Sequence, residues 1–186
     1  MPLNKSDHSI ISNDKYDSFS CISAFGPFWK DLNDFSTLNK IFDQIKSLNP
    51  EFCILGGPFI DANNFDKNST SSPNLIMQNI IQEIENFAKQ TQTVFFLLPS
   101  TRDVAALPCF PQHGLIIDQN FSKSSSKTQN LVNLCQNPSM ISLESFKVAI
   151  CSEDALLGFV GAELTSADVT SSRMKRFVDE ITSQKW

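Results

Sequence analysis

Histidine is scarce in this chain of 186 residues, which contains only His8 and His113. His8 lies in a polar N-terminal stretch and His113 follows a proline-rich segment, so we expect both to be exposed loop residues. Hydrolytic centres that hold two metal ions use several imidazoles together with carboxylates. The low histidine count therefore argues against a site of that kind.

Basic residues are also few, and they form no block. The chain has 15 Lys and Arg against 20 Asp and Glu, which gives a formal net charge of −5. Sequence-independent binding to nucleic acid depends on a positively charged surface. We therefore do not expect DNA to be a direct ligand of this chain.

The sequence lacks paired cysteine motifs and long apolar runs. Five cysteines occur at wide spacings, which disfavours a zinc ribbon or a disulfide framework and fits a reducing compartment. No stretch approaches the roughly 20 apolar residues of a membrane span. We expect a soluble intracellular protein without contact to a membrane. The cysteines are Cys21, Cys53, Cys109, Cys135 and Cys151.

Short apolar runs alternate with helical patterns over the first hundred residues. Strands are predicted at 18–25, 52–55 and 94–98, and helices at 36–48 and from Ser72-Pro73 onward. Ser36 is expected to cap the first helix. The strands are continuously apolar, which is typical of a central sheet covered on both faces. The sequence therefore predicts an α/β fold.

The second half of the chain has weaker patterns. We predict a short strand at 131–134, a hairpin of strands at 140–143 and 146–151, and helices at 152–159 and 171–183. The last helix is amphipathic through Met174, Phe177, Val178 and Ile181. Residues 1–17 are interpreted as a disordered tail or linker.

Ligands of open α/β sheets lie beyond the carboxyl ends of the strands. Two strand ends here, 57–61 (Gly-Pro-Phe-Ile-Asp) and 99–103 (Pro-Ser-Thr-Arg-Asp), resemble the G-D-x-x-D and G-N-H-D/E motifs of metallophosphoesterases. Pro58, Thr101 and Arg102 stand where that family has metal-binding Asp, Asn and His. The first strand end, 23–29, contains neither Asp nor His. We therefore expect no catalytic residue, no metal and no cofactor.

Arg102 adds a fixed positive charge at a position where that family binds a cation. We expect its guanidinium to fill part of the former metal pocket and to pair with Asp61 or Asp103. The alternative is that both carboxylates only cap turns. Neither interpretation yields catalysis.

These departures are shared with a known family. Residues 53–62 (Cys-Ile-Leu-Gly-Gly-Pro-Phe-Ile-Asp-Ala), 99–104 and 108–112 resemble, in order, stretches of the B subunits of DNA polymerase alpha. Weaker matches occur at 25–28, 136–138, 146–156 and 161–163. The resemblance implies a vestigial site that retains six motif residues. They are Gly57, Pro58, Asp61, Ser100, Arg102 and Asp103.

The resemblance implies a fold and a role. Residues 18–186 would be part of an inactive calcineurin-like phosphoesterase domain, a β-sandwich flanked by helices, truncated relative to the family. Such subunits are nuclear scaffolds of the DNA polymerase alpha–primase complex in replication initiation. The expected partner is the C-terminal domain of the catalytic subunit, with primase bound indirectly and DNA bound only through the complex.

Two other functions remain open from the residues alone. One is a divergent metal-dependent phosphodiesterase that uses Asp61, Asp103 and Asp154. The other is an accessory subunit of the delta or epsilon type. Phe28 and Trp29 are either aromatic anchors of an interface or core residues, and we favour the core.

Overall fold

The computed structural model describes residues 8–9, 19–29, 34–65, 72–115, 131–143, 146–153 and 172–183. The chain divides into two compact units, residues 1–152 and 153–186, which are described separately. Asp154, the 161–163 segment and most of the helix predicted at 152–159 lie outside the described residues.

A four-stranded parallel sheet forms the centre of the first unit. Its order is β2-β3-β4-β5, and the first three strands are in register, so that Phe25, Gly56 and Leu98 stand opposite one another at its carboxyl edge. All three long apolar runs form the predicted strands, which confirms the α/β expectation. The strands are β2 (Cys21–Phe25), β3 (Phe52–Gly56), β4 (Val94–Leu98) and β5 (Val132–Leu134).

Helix α1 (Ser36–Leu48) connects β2 to β3. The Asp34 carboxylate accepts the Ser36 N–H at 2.9 Å, so Ser36 is the first helical residue and not the capping residue that we expected. Asn49 ends the helix in the left-handed conformation (φ 45°), and its N–H donates to the Ile45 carbonyl at 2.8 Å. This is a common way for a helix to end before a proline.

Helix α2 (Pro73–Thr91) connects β3 to β4. Ser72 is the extended residue before it and Pro73 opens it, as predicted. Its buried face is the set of apolar positions that recur at helical spacing in the sequence. They are Ile76, Met77, Ile80, Ile81, Ile84, Phe87 and Ala88.

The two helices pack on one face of the sheet. Cys53, Leu55, Phe95 and Leu97 point toward them from β3 and β4 and are fully buried. The helices meet each other through the stacked rings of Phe42 and Phe87, whose centroids are 4.0 Å apart. α1 and α2 are therefore in contact with each other as well as with the sheet.

A second sheet covers the opposite face. It contains β1 (His8–Ser9), β6 (Ser139–Leu143) and β7 (Phe146–Ile150), in the order β1-β6-β7. The β6–β7 pair is the predicted antiparallel hairpin, and β1 adds two residues from the segment that we interpreted as a tail. Ile141 of β6 packs with Phe52 and Phe96 of the central sheet. The two sheets therefore form a sandwich with helices outside one of them.

The second unit is described at residues 153 and 172–183, and its helix α3 (Arg173–Ser183) confirms the helix predicted at 171–183. The Ser172 hydroxyl accepts the Lys175 N–H at 3.2 Å and so caps its start. Met174 and Val178 are about half exposed.

No helix in the described ranges combines the length and the apolar character needed to cross a membrane.

Candidate functional site

The three strand ends singled out in the sequence lie side by side. Because β2, β3 and β4 are parallel and in register, these three strands end next to one another at the same edge of the sheet. Backbone bonds continue beyond the strands, from the Gly26 N–H to the Gly56 carbonyl at 2.9 Å and from the Gly57 N–H to the Leu98 carbonyl at 2.8 Å. The structure therefore brings the predicted motif residues together at one edge.

Gly57 allows the two motif loops to approach closely. A Cβ atom at this position would lie 2.3 Å from Oδ2 of Asp103 and 2.7 Å from the Ser100 nitrogen. No side chain fits at these distances. The next residue, Pro58, is buried and offers neither an N–H donor nor a side-chain ligand.

Asp103 joins the loops after β3 and β4. Its carboxylate is 3% exposed and accepts the N–H groups of Phe59, Ile60 and Ser100, the last two at 2.9 Å. Burial raises the pKa of Asp103 to about 6, and the negative charge of Asp61 acts in the same direction, while the three N–H groups oppose the rise. Both of its oxygens are thus occupied by backbone groups.

Asp61 is buried and pairs with the guanidinium of Arg102, one of the two partners that we expected. The other oxygen of Asp61 accepts the Asn63 N–H at 3.0 Å, so this carboxylate also caps a turn. The Arg102 side chain is 55% exposed, so most of it faces solvent and does not fill an internal pocket. Backbone bonds from Ala62 to Arg102 and from Val104 to Ile60 hold the two loops beside each other.

The remaining motif residues complete the packing of this edge. Ser100 is 4% exposed, and its hydroxyl accepts the Arg102 N–H at 3.3 Å. Thr101 is half-buried, and His113 is exposed on a later loop. Within the described ranges, no three His, Cys, Asp or Glu residues are grouped so that they could hold a metal ion. The bonds of Asp103 to Phe59, Ile60 and Ser100 hold the loops after β3 and β4 together, and we call this arrangement the clamp.

Two buried amides belong to this site although the sequence assigned them no role. Gln112 donates through Nε2 to the carbonyls of Ser100 at 2.9 Å and Leu107 at 2.7 Å. Asn137 is fully buried and donates to Oε1 of Gln112 at 3.3 Å, and the two residues also exchange backbone bonds. Both occur in segments that resemble the polymerase family, which was the available signal.

Asn137 extends this network to the end of the second sheet. Its Oδ1 accepts the Ser152 N–H at 3.1 Å, and the Ser152 hydroxyl donates to the Pro99 carbonyl. The segment after β7 is thus bonded to the loop after β4. Asp154, the third acid of the phosphodiesterase alternative, lies outside the described residues.

Phe28 and Trp29 are core residues, as favoured from the sequence. They are 1% and 5% exposed, and the Phe28 ring packs on Phe59 with centroids 5.2 Å apart. The backbone N–H of Trp29 donates to the Phe59 carbonyl at 3.1 Å, which continues the pairing of the two strand ends. Neither side chain is available as a surface anchor.

The structure thus has a parallel sheet with helices on one face and a second sheet on the other, and the loops at its strand ends are bonded to each other. The sequence of the chain also matches a known protein family. Residues 21–186 match the family model that describes the B subunits of DNA polymerases alpha and epsilon, and the chain belongs to this family.

Three curated relatives carry a more specific name, since all three are B subunits of DNA polymerase alpha. The chain is 26% identical over 175 residues to the relative from Bos taurus, a match that covers 91% of this chain and 28% of the relative. The relatives from Rattus norvegicus and Mus musculus are also 26% identical, over 168 and 170 residues. These matches cover 87% and 88% of this chain and 27% of each relative. The chain therefore spans about a quarter of the length of these relatives.

Proposed function

We propose that this chain is a non-catalytic accessory subunit of a DNA polymerase alpha–primase assembly in the nucleus. In this role it binds the C-terminal domain of the catalytic subunit, contacts primase indirectly and reaches DNA only through the complex. Residues 18–186 would then be part of an inactive phosphoesterase-like domain. Membership in the family of polymerase B subunits supports the accessory role.

The non-catalytic role is supported chiefly by the hydrogen-bond partners of the two carboxylates at the strand ends. Asp61 is paired with Arg102, and Asp103 accepts three backbone N–H groups. A metal-dependent hydrolase needs carboxylate lone pairs directed at ions that activate water. At this edge, the same lone pairs are directed at protein donors.

The charge of the chain supports a role in binding protein. Its net charge of −5 disfavours direct attraction to the phosphate backbone. Complementary charges on a protein partner increase the rate and the specificity of association. We therefore expect the partner to be a protein rather than a nucleic acid.

Calorimetry with the C-terminal domain of the alpha catalytic subunit tests this proposal. We expect saturable 1:1 binding, and weaker binding of the corresponding delta and epsilon domains under the same conditions. Binding of only the delta or epsilon domain would favour that type of accessory protein instead.

A hydrolysis assay tests the competing enzyme function. The chain is incubated with manganese and bis-p-nitrophenyl phosphate, next to the Asp61→Ala variant. We expect no turnover by either protein. Turnover by the natural chain that is lost in Asp61→Ala would contradict the non-catalytic role.

A further inference from the structure

Five consecutive exposed residues follow the clamped edge of the sheet. They are residues 107–111 (Leu-Pro-Cys-Phe-Pro), between the half-buried 104–106 segment and the buried Gln112. Leu107 is 59% exposed and Phe110 is 55% exposed. Apolar residues that are exposed together, and not singly, mark interaction sites on protein surfaces. We call residues 107–111 the apolar loop.

The base of the apolar loop is fixed. Gln112 donates to the carbonyls of Leu107 at 2.7 Å and Ser100 at 2.9 Å, and the Cys109 N–H donates to the Leu107 carbonyl at 2.9 Å. Backbone bonds between Gln112 and Asn137 hold the far end. A loop that is ordered before binding loses less conformational entropy when a partner docks.

The segment that contains the apolar loop has one exposed charged side chain, Arg102. Residues 99–115, which the structure describes in full, contain only two residues of the Lys, Arg, Asp and Glu types. Asp103 is 3% exposed, whereas the Arg102 side chain is 55% exposed. The Arg102 guanidinium is paired with the buried Asp61, and its solvent-facing part offers further N–H donors beside the apolar loop in the sequence. These donors are complementary to a carboxylate.

A cleft lies beside the apolar loop. Leu107 forms part of its lining, together with Asn74 of α2, the 104–106 segment, and His113. The surface thus combines projecting apolar side chains with a recess next to them. Aromatic and arginine anchors surrounded by apolar contacts are typical of the energetic centre of a protein interface.

We propose that the apolar loop and Arg102 form a docking surface for a protein that presents an apolar pocket with a carboxylate at its rim. This inference rests on the proposed function, because it locates the binding of the catalytic subunit on this chain. Leu107 and Phe110 enter the pocket, and the solvent-facing donors of Arg102 bind the carboxylate.

The first test compares two matched variants in calorimetry with the C-terminal domain of the alpha catalytic subunit. Leu107→Ser/Phe110→Ser removes the apolar anchors and is expected to weaken binding about tenfold or more. Leu48→Ser, at a residue 63% exposed at the end of α1, is the control and should change binding by less than about twofold. Urea unfolding of each variant verifies that it is folded.

The second test uses a natural thiol in the apolar loop. Cys109 is exposed, as are Cys21 and Cys151 elsewhere in the first unit. Alkylation by iodoacetamide is followed by mass spectrometry with and without the partner domain. We expect the partner to slow modification of Cys109 while Cys21 and Cys151 react at unchanged rates.

The third test addresses Arg102. The affinity of the natural chain is expected to fall as sodium chloride is raised, because salt screens the arginine–carboxylate attraction. The Arg102→Gln variant should show a flatter dependence. An affinity that does not change with salt would overturn the assignment of the carboxylate.

The outcomes separate this inference from the function on which it rests. If the natural chain does not bind the partner domain, both the proposed function and this surface are overturned. If it binds, but the double variant binds equally and Cys109 stays reactive, only the docking surface is overturned. If the double variant changes only self-association in gel filtration, the occupant is a second copy, and this also overturns the assignment.

Discussion

Asp103 illustrates how a single side chain can replace backbone pairing where strands end. Its two oxygens accept N–H groups from Phe59, Ile60 and Ser100, which would otherwise be buried without partners. An ionised carboxylate only accepts hydrogen bonds and has about four lone-pair sites. Asparagine has the same shape, but one of its two polar atoms is a donor.

The Asp103→Asn variant is therefore expected to be clearly less stable. At least one buried N–H would face an amide donor, at a cost of about 1–3 kcal/mol. Urea unfolding at neutral pH measures the loss in the free energy of unfolding. Asp43→Asn, at an exposed position on α1, is the matched control and should stay within about 0.5 kcal/mol of the natural chain. Equal stability of the two variants would contradict the clamp.

The raised pKa of Asp103 predicts a specific pH dependence. In the folded state burial raises this pKa from its ordinary value of 3.8 to about 6, so the folded state binds the proton more tightly than the unfolded state. The resulting stabilisation is complete below about pH 4 and is lost as the pH rises through about 6. The free energy of unfolding, relative to that of Asp103→Asn, should therefore decrease over this range.

Carbon NMR provides a direct control for this prediction. The carboxyl carbon of Asp103 is expected to titrate near pH 6. A midpoint for Asp103 near its ordinary value of 3.8 would show that the backbone donors outweigh burial.

The sequence predicts which residues lie close together at the carboxyl edge of the sheet, but not which hydrogen bonds they form. Asp61 and Asp103 follow adjacent parallel strands, so their proximity was foreseeable. The Arg102–Asp61 pair was one of two open choices. The three donors to Asp103 were not predictable, because the direction of each N–H depends on how the loops turn after the strands end.

Secondary structure is most predictable where one physical signal dominates. The buried β3 and β4 are uninterrupted apolar runs, and α2 has both a proline start and a regular apolar face. The start of α1 was predicted less well, because Ser36 was expected to be the cap, whereas it is the first helical residue and its N–H donates to the Asp34 carboxylate. The two-residue β1 carries no pattern that a sequence could reveal.

The apolar loop depends on Gln112 in a way that a single substitution can test. In Gln112→Ala the carbonyls of Ser100 and Leu107 lose their donor, so the loop should loosen and stability should fall by about 1–3 kcal/mol. Hydrogen exchange is expected to accelerate at 107–112 and to remain slow in β4. Gln82→Ala, on the exposed side of α2, is the control. Unchanged exchange at 107–112 would show that the loop is held by other contacts.

In the described part of the first unit, both faces of the central sheet are covered where β3 and β4 lie, whereas the edge strand β2 keeps exposed side chains, among them Phe25 at 57%. Helices cover one face and the second sheet covers the other, so the side chains of β3 and β4 are all buried. Contacts with other molecules must then be made by loops, helix exteriors and edges. This agrees with the location of the apolar loop and explains why the continuous apolar strands predicted a doubly covered sheet.

The net charge of the whole chain gives a further prediction. With a charge of −5, the isolated chain should bind a fluorescent DNA duplex with a dissociation constant no tighter than about 10⁻⁴ M at physiological salt. Fluorescence anisotropy measures this, with a basic DNA-binding protein as the positive control. Micromolar binding that weakens as salt increases would reveal a cationic surface that the composition does not predict.

The buried Trp29 provides a fluorescence signal that depends on the folded structure. Its ring is almost fully buried, and its indole nitrogen lacks a hydrogen-bond partner among the residues described. An indole in such dry surroundings emits at shorter wavelengths than one in water, and the chain has just one other tryptophan, Trp186. A Trp186→Phe variant would therefore emit through Trp29 alone. A red shift of that emission would report the opening of the β2–β3 junction without any added label.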